Sequence, residues 1–254
     1  YRFIPSGVDE DAGWTSLGAG HKESGLVQRA TENDTAGFIL NLLKGCVVYQ
    51  FHDTSTKARI RQNWNVEDNY FLKEDGGNLG PFLYRLKERE REHYLRIVRT
   101  IRQILPFFGD FFLKQDGPSI PLRWMESGSD MVFGAGQASD GMLRAMALVA
   151  LLLQPVEHLP SVIILDEPEL GLHPYAISVI AGLLKSVSVH RQVILATQST
   201  AFIDCFEPEY IVIVERKNRE SSFTRPNWES LKEWTNTYSI AELWEKNVLG
   251  GRPG

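Results

Sequence analysis

Ser161 to Pro174 reads SVIILDEPELGLHP. Val162, Ile163, Ile164 and Leu165 make a short apolar run rich in β-branched side chains, which suits a strand buried on both faces of a parallel sheet. Asp166-Glu167-Pro168 ends it abruptly, because proline cannot donate to a continuing ladder. The carboxyl end of a buried strand is where open α/β sheets place their ligands. The strand is expected to stop at a site.

Two neighbouring acids suit a division of labour. Asp166 can hold a hydrated Mg²⁺, an ion that keeps most of its waters and takes one or two carboxylates from protein. Glu167, pointing to the other side of the strand, can polarise a water for in-line attack on a γ-phosphate. An Asp-Glu pair after a strand is more often a solvated loop. The apolar tetrad before this one and ELGLHP after it favour a site.

A second site signal lies upstream in Gly134-Ala-Gly-Gln-Ala-Ser-Asp-Gly141, which leads into the Ala- and Leu-rich run Met142 to Leu153. That run is expected to be a helix starting at about Ser139 to Gly141. A helix start preceded by Ser and Gly is an anion site, since its free N–H groups and its dipole point the same way. A plain N-cap at Ser139 or Asp140 is an equally good reading of this segment alone.

ILDEPELGLHP resembles the Walker B and D-loop of ABC-type ATPases related to RecF and the SMC proteins, in particular the stand-alone AAA family ATPases of bacterial genomes. Three further segments fit that group: FHDTS at Phe51 to Ser55, ASDGMLR at Ala138 to Arg144, and the C-terminal LWEKNVLGGRP. The resemblance runs over most of the chain. It implies an enzyme that binds and hydrolyses ATP with Mg²⁺ and closes head-to-tail as a homodimer over two nucleotides. In it, Asp166 holds the metal and Glu167 activates water. Ser139 and the amide of Gly141 reach the γ-phosphate held by a second subunit, while Asp140, His173 and Pro174 shape the signature and D-loop contacts. Gln198, after the next strand, takes the switch position that usually carries His; an amide can donate to phosphate and position water but takes up no proton. Ala138 and Met142 also depart from the family pattern, at flanking positions. Such ATPases are often partnered with a separate nuclease or effector in DNA repair or phage defence. The alternative is a nucleotide-gated binding or scaffold module in which turnover is incidental.

No G-x-x-x-x-G-K-[ST] phosphate loop occurs, and the chain begins at Tyr1. The resembling proteins carry that loop near their N-terminus, so this chain is expected to be the later part of a longer protein. On its own it is expected to be inert or to bind ATP weakly.

The composition is ordinary: 254 residues, 43% hydrophobic and 23% charged, enough for one large domain or two small ones. A net charge of −5 argues against a strong sequence-independent grip on nucleic acid, leaving DNA contact to a local patch. The longest apolar run, Ala145 to Leu153, is far below the roughly 18 residues that span a bilayer, so no membrane partner is expected. No secretion signal is visible in residues 1–25, and the two cysteines, Cys46 and Cys205, show no metal or redox spacing. A cytoplasmic protein is expected.

In chain order, residues 1–34 read as a loop-rich remnant of an N-terminal lobe. Residues 35–133 read as a helical and β-meander subdomain, with an amphipathic helix from Thr35, a strand from Cys46 to Phe51, and one helix from about Leu79 to Ile104. Short strands are expected at Phe111 to Lys114, Ile120 to Met125 and Met131 to Phe133. Adjacent residues at a strand end point apart, so His52 and Asp53 are expected to form a turn or subunit contact rather than a catalytic pair. Residues 134–254 read as the ATPase lobe. Its mostly parallel sheet is expected to combine Val162 to Leu165, Gln192 to Ala196 and Tyr210 to Val214, the last with Ser221 to Thr224 as a candidate hairpin partner, and with helices at Ala176 to Val187 and Leu231 to Val248. The fold class is α/β, an ABC-type P-loop NTPase lobe with helices flanking the sheet.

Overall fold

The computed structural model describes residues 25–250 apart from 218 and 236. The loop-rich stretch up to residue 24 and the last residues of the tail, 251–254, lie outside them. The described residues fall into two compact units, divided between Cys46 and Val47.

The first unit holds two helices, α1 (Leu26–Arg29) and α2 (Asp34–Lys44). Asn33 starts α2 by accepting a hydrogen bond on its side chain from the Ala36 amide at 3.0 Å, which satisfies one of the helix's orphan N–H groups.

The central sheet is three-stranded, in the order β1 (Cys46–Tyr49), β7 (Val162–Asp166) and β8 (Gln192–Ala196). β7 and β8 are parallel, in register from Val162↔Gln192 to Asp166↔Ala196. Parallel neighbours need a crossover, and α6 (Pro174–Ser188) supplies it. The expectation of a strand buried on both faces is corrected here. Ile163 and Leu165 are fully buried, but Val162 and Ile164 are only partly covered, and Ile194 beside Ile164 is 45% exposed. One face of the strand pair carries the core. The apolar tetrad contains hydrophobic residues at all four positions, so the sequence could not tell a one-sided strand from a two-sided one.

α5 (Asp140–Leu153) is the hub of that core. Eleven of its residues are buried, from Met142 to Leu153, as a helix apolar on every side must be. Ile163 and Leu165 of β7, Ile180 and Leu184 of α6, and Ile97 and Ile101 of an earlier helix share one continuous cluster with it. Truncating such a leucine to alanine costs about 2–5 kcal/mol.

The expected long helix from Leu79 to Ile104 is two helices, α3 (Leu79–Arg89) and α4 (Arg91–Ile104), broken at Glu90, whose φ of −136° and ψ of 52° are not helical. The break turns the Glu90 carboxylate onto Arg85 Nη1 at 2.8 Å, and Arg85 Nη2 lies 3.0 Å from His158 Nδ1. Arg85 is buried, so its charge needs those partners. A three-stranded antiparallel meander follows, β3 (Phe108–Phe111), β5 (Arg123–Glu126) and β6 (Val132–Gly134), in the order β3-β5-β6. The first strand therefore lies earlier than the expected Phe111 to Lys114. Pro121 divides the expected strand at Ile120 to Met125, so that β4 (Ser119–Ile120) pairs instead with β2 (Trp64–Asn65).

Two further expectations are corrected near the C-terminus. Tyr210 to Val214 is not a third parallel strand of the central sheet. Tyr210 closes a 3₁₀ turn, and β9 (Ile213–Lys217) forms an antiparallel pair with β10 (Glu220–Thr224). The expected helix from Leu231 to Val248 is two short ones, α8 (Lys232–Thr235) and α9 (Ile240–Glu245). Ser239 and Glu242 form a reciprocal capping box, a signal for a new helix start. α9 packs on α7 (Thr200–Ile203), where Asp204 accepts a hydrogen bond from the Ala241 amide at 2.8 Å. No described helix is long and apolar enough to cross a membrane.

Candidate functional site

Asp166 is the last residue of β7, and its side chain is exposed. Glu167 leaves the pleat at once: its φ is +39°, in the left-handed region that non-glycine residues rarely occupy. Its direction is set by this turn and not by strand alternation. The turn is held because the Glu167 amide donates to the Ala196 carbonyl at 2.8 Å, adding one rung to the parallel ladder. Left-handed backbone at a non-glycine residue is unfavourable and persists where the surroundings dictate it, which is commonest at functional sites.

β8 brings the second half of the site. Beyond Ala196, Gln198 lies with its amide nitrogen 3.5 Å from Glu167 Oε1. Asp166, Glu167 and Gln198 are therefore brought together at adjacent carboxyl ends of parallel strands. Near them lies Glu169, which is buried. Its Oε1 accepts a short hydrogen bond from Thr197 Oγ1, and Thr197 Oγ1 in turn accepts from the Ser199 amide at 2.9 Å. Burial pushes the Glu169 carboxyl above its ordinary range; the Thr197 bond opposes this, and the nearby Glu167 and Asp166 charges add to it.

A shallow depression, with room for about one water, lies beside Asp166 and Glu167 and is walled in part by Tyr49, His52 and Arg144. Burial, with a smaller push from Glu74, raises the Tyr49 phenol to about 12, so it stays protonated at neutral pH and cannot act as a base there. His52 has a defined place: its Nε2 lies 2.8 Å from the Asp166 carbonyl, fastening the end of β1 to the end of β7. Asp53 forms a turn by accepting from the Ser55 amide at 3.1 Å.

Ser139, Asp140 and Gly141 form a second group at the start of α5. Ser139 caps the helix, its Oγ accepting from the Met142 amide at 3.3 Å. Asp140 accepts from Arg61 Nη2 at 3.0 Å; Arg61 also donates to the carbonyls of Thr54, Ala135 and Ala138, which fixes the loop that leads into the helix. Gly141 is packed against the D-loop so closely that a β-carbon there would lie 2.4 Å from the Gly171 carbonyl oxygen. His173 caps α6, its Nδ1 accepting from the Tyr175 amide at 3.3 Å, and is otherwise exposed.

Arg144, one turn into α5, ties the two groups together. It donates to the carbonyls of Phe51 at 3.2 Å, His52 at 2.9 Å and Leu170 at 3.1 Å, joining the helix, the end of β1 and the D-loop. Sequence reasoning did not assign Arg144, Arg61, Glu169 or Thr197. For Arg144 a signal existed: a single arginine inside an otherwise apolar helical run must find buried partners. For Arg61 and for the Glu169–Thr197 pair none did, because their partners are distant in sequence.

Among the described residues there is no cluster of three or more His, Cys, Asp or Glu side chains that could hold a metal ion. A lone exposed carboxylate such as Asp166 fits Mg²⁺, which relies mainly on water and phosphate oxygens, and does not fit a cage-bound ion such as Zn²⁺.

The chain is similar to solved SMC heads. One is from a study of ATP-driven dimerisation and DNA-stimulated activation of SMC ATPases, at 15% identity and a TM-score of 0.44, covering 61% of this chain and 95% of that one. A Pyrococcus furiosus Smc head with an extended coiled coil, bound to the C-terminal domain of ScpA, gives 14% identity and 0.44, covering 83% of this chain and 50% of that one. The Thermotoga maritima SMC head gives 19% and 0.39, covering 58% and 52%. No curated protein matches the chain. A family profile described as "AAA domain, putative AbiEii toxin, Type IV TA system" matches residues 4–204. With that match spanning most of its length, and with a parallel strand pair that ends in adjacent carboxylates, the chain belongs to this AAA-domain family of nucleotide-binding ATPases.

Proposed function

We propose that this chain is the catalytic lobe of an ATPase that closes as a head-to-tail homodimer on ATP, with Glu167 as the general base. The observation that carries the reading is the left-handed turn at Glu167. It sets a carboxylate between Asp166 and Gln198 at the carboxyl ends of two parallel strands.

The roles follow from what each group can do. Asp166 holds Mg²⁺, which neutralises charge on the nucleotide phosphates when bound. Glu167 takes the proton of the attacking water. Gln198 offers an N–H to hold either that water or the Glu167 carboxylate in line, but it cannot relay a proton. Ser139 and Gly141 present the start of α5 to the nucleotide of the partner subunit, supported by the helix dipole. Asp140, clamped by Arg61, and His173, capping α6, shape the loops on either side. The side-chain chemistry of water activation thus lies on this chain. A separate effector, acting in DNA repair or phage defence, reads the closed dimer; the toxin–antitoxin wording of the family description agrees with an effector output of this kind.

The test is Glu167→Gln in the full-length protein. It is expected to lower ATP turnover by about 10²–10⁴-fold while leaving nucleotide bound, and to trap an ATP-dependent dimer visible by light scattering. Unchanged turnover would remove Glu167 as the base. The second reading, a nucleotide-gated scaffold, draws on the switch position being a glutamine. Its signature is wild-type dimerisation on ATP with turnover already as low as in the variant.

A further inference from the structure

We propose that Glu169 is a positioning residue, which acts through Thr197 to hold Gln198 opposite Glu167. The inference rests on the ATPase reading above for its consequence, but not for the tether itself.

Glu169 has the wrong environment for a bland loop residue. It is only 8% exposed, and its Oε2 is fully buried with no hydrogen-bond partner among the described residues. Burying a carboxyl with one oxygen unsatisfied is unfavourable, and an apolar side chain of similar size would avoid it. The other oxygen shows what the acid does. It accepts from Thr197 Oγ1, the residue directly before Gln198, and that hydroxyl also accepts from the Ser199 amide directly after it. Ser199 is itself fixed, its Oγ capping α7 by accepting from the Phe202 amide at 3.3 Å. Gln198 is exposed, and its side chain makes only the long 3.5 Å contact to Glu167 among the described residues. Its own interactions cannot set its place; the tethers on both sides of it do.

The geometry on the β7 side is complementary. Glu167 is locked to Ala196 by its amide, and the D-loop begins two residues after it with Glu169. The Glu169–Thr197 bond is therefore a second rivet between the same two strand ends. One rivet fixes the distance between them, and two fix the rotation. A base and a water-orienting amide need both, since a misplacement of about 1 Å can lower a rate by about 10²-fold.

Four single variants of the full-length protein and one double test this. Thr197→Val keeps volume and removes the hydroxyl, while Thr197→Ser retains it. Glu169→Leu removes the acceptor, and Glu169→Gln retains an acceptor oxygen. In the folded protein without nucleotide, Thr197→Val and Glu169→Leu are expected to raise amide deuterium uptake across residues 197–199. They are expected to lower kcat by about tenfold or more with KM for ATP within about twofold. The double Glu169→Leu/Thr197→Val is expected to be no worse than the poorer single, as for two ends of one bond. Thr197→Ser and Glu169→Gln are expected to return kcat to within about threefold. Unchanged uptake and kcat in folded Thr197→Val, raised uptake without loss of kcat, or losses that multiply in the double variant would overturn the proposal. If Glu169→Leu does not fold, the Thr197 pair decides. If the wild type turns over no ATP, the ATPase reading falls, and the uptake comparison alone decides whether the tether exists.

Discussion

Gly141→Ala probes the contact on which the proposed trans-acting edge depends. A β-carbon at Gly141 would lie 2.4 Å from the Gly171 carbonyl oxygen, where ordinary contact begins at 3.4 Å, a shortfall of 1.0 Å against backbone. Backbone cannot swing aside as a side-chain tip can. Gly171 is itself in the left-handed region at φ +75°, with Arg144 Nη1 close behind it, so the D-loop has little room to retreat. Overpacking of this kind costs about 1–3 kcal/mol. Against it stands the gain of replacing glycine by alanine in a helix, about 0.5–1 kcal/mol. The net is a destabilisation centred on about 1 kcal/mol and reaching about 2.5 kcal/mol, or a Tm lower by up to about 10 °C for a protein of this size. Gly182→Ala is the matched comparison. It is the same substitution in α6, but nothing lies within 4 Å of the added carbon, so only the helix gain applies and Tm should rise by about 1–4 °C. Thermal unfolding followed by circular dichroism reads both. Opposite signs support the contact. If Gly141→Ala melts with or above the wild type, the start of α5 is not packed on the D-loop as described.

Two further outcomes follow from the same region. Arg144→Lys is expected to destabilise by about 1–2 kcal/mol in chemical denaturation, because one ammonium cannot reach the carbonyls of Phe51, His52 and Leu170 together as the guanidinium fork does; a wild-type midpoint for the lysine variant would refute that. The raised Glu169 carboxyl gives a pH signature with a definite sign. The folded state holds its proton more tightly than the unfolded chain, whose value is near 4.5, so this group's contribution is full below that pH and is lost as pH rises through the folded value. Glu169→Gln does not titrate, so its Tm should gain on the wild type as pH is raised from about 4 to 7; a constant difference would mean that the carboxyl is not perturbed.

The sequence made the strand β8, the helix α5 and the carboxylates of the site legible, because each is announced locally. QVILA runs from Gln192 to Ala196 as expected, and Ser139 stands at the N-cap of α5. What the sequence hid depends on partners far along the chain. Lys87 to Tyr94 has no proline or glycine to announce a break, and the break at Glu90 goes with a buried Arg85 that meets both Glu90 and His158, the latter seventy-three residues away. Tyr210 to Val214 has the composition of a buried strand, yet Ile213 and Val214 pair with Thr224 and Phe223, and Val214 is 53% exposed. Here the partner is near in sequence, and Ser221 to Thr224 was readable as a hairpin strand; what apolar composition could not say is that this pair stands apart from the central sheet. The break between Thr235 and Ile240, by contrast, was written plainly as Ser-Ile-Ala-Glu, a capping box inside a stretch read only for its amphipathic period.

The site shows the same division at closer range. Asp166, Glu167 and Gln198 sit at strand ends, where residue type and position alone point to chemistry. The residues that aim them do not announce themselves, since an arginine, a threonine or a second glutamate is unremarkable until its partner is known. Glu167 illustrates why both levels are needed. The sequence argument for its role used strand alternation, but the strand has ended there and a φ of +39° sets the direction of the carboxylate. A turn of that kind needs support from outside itself. The Ala196 carbonyl accepts from its amide, His52 holds the neighbouring Asp166 carbonyl, and Glu169 grips Thr197 across the same gap. The acid proposed to activate water is therefore placed by three other segments of the chain. Substitutions at His52, Glu169 or Thr197 should move its carboxylate without touching it.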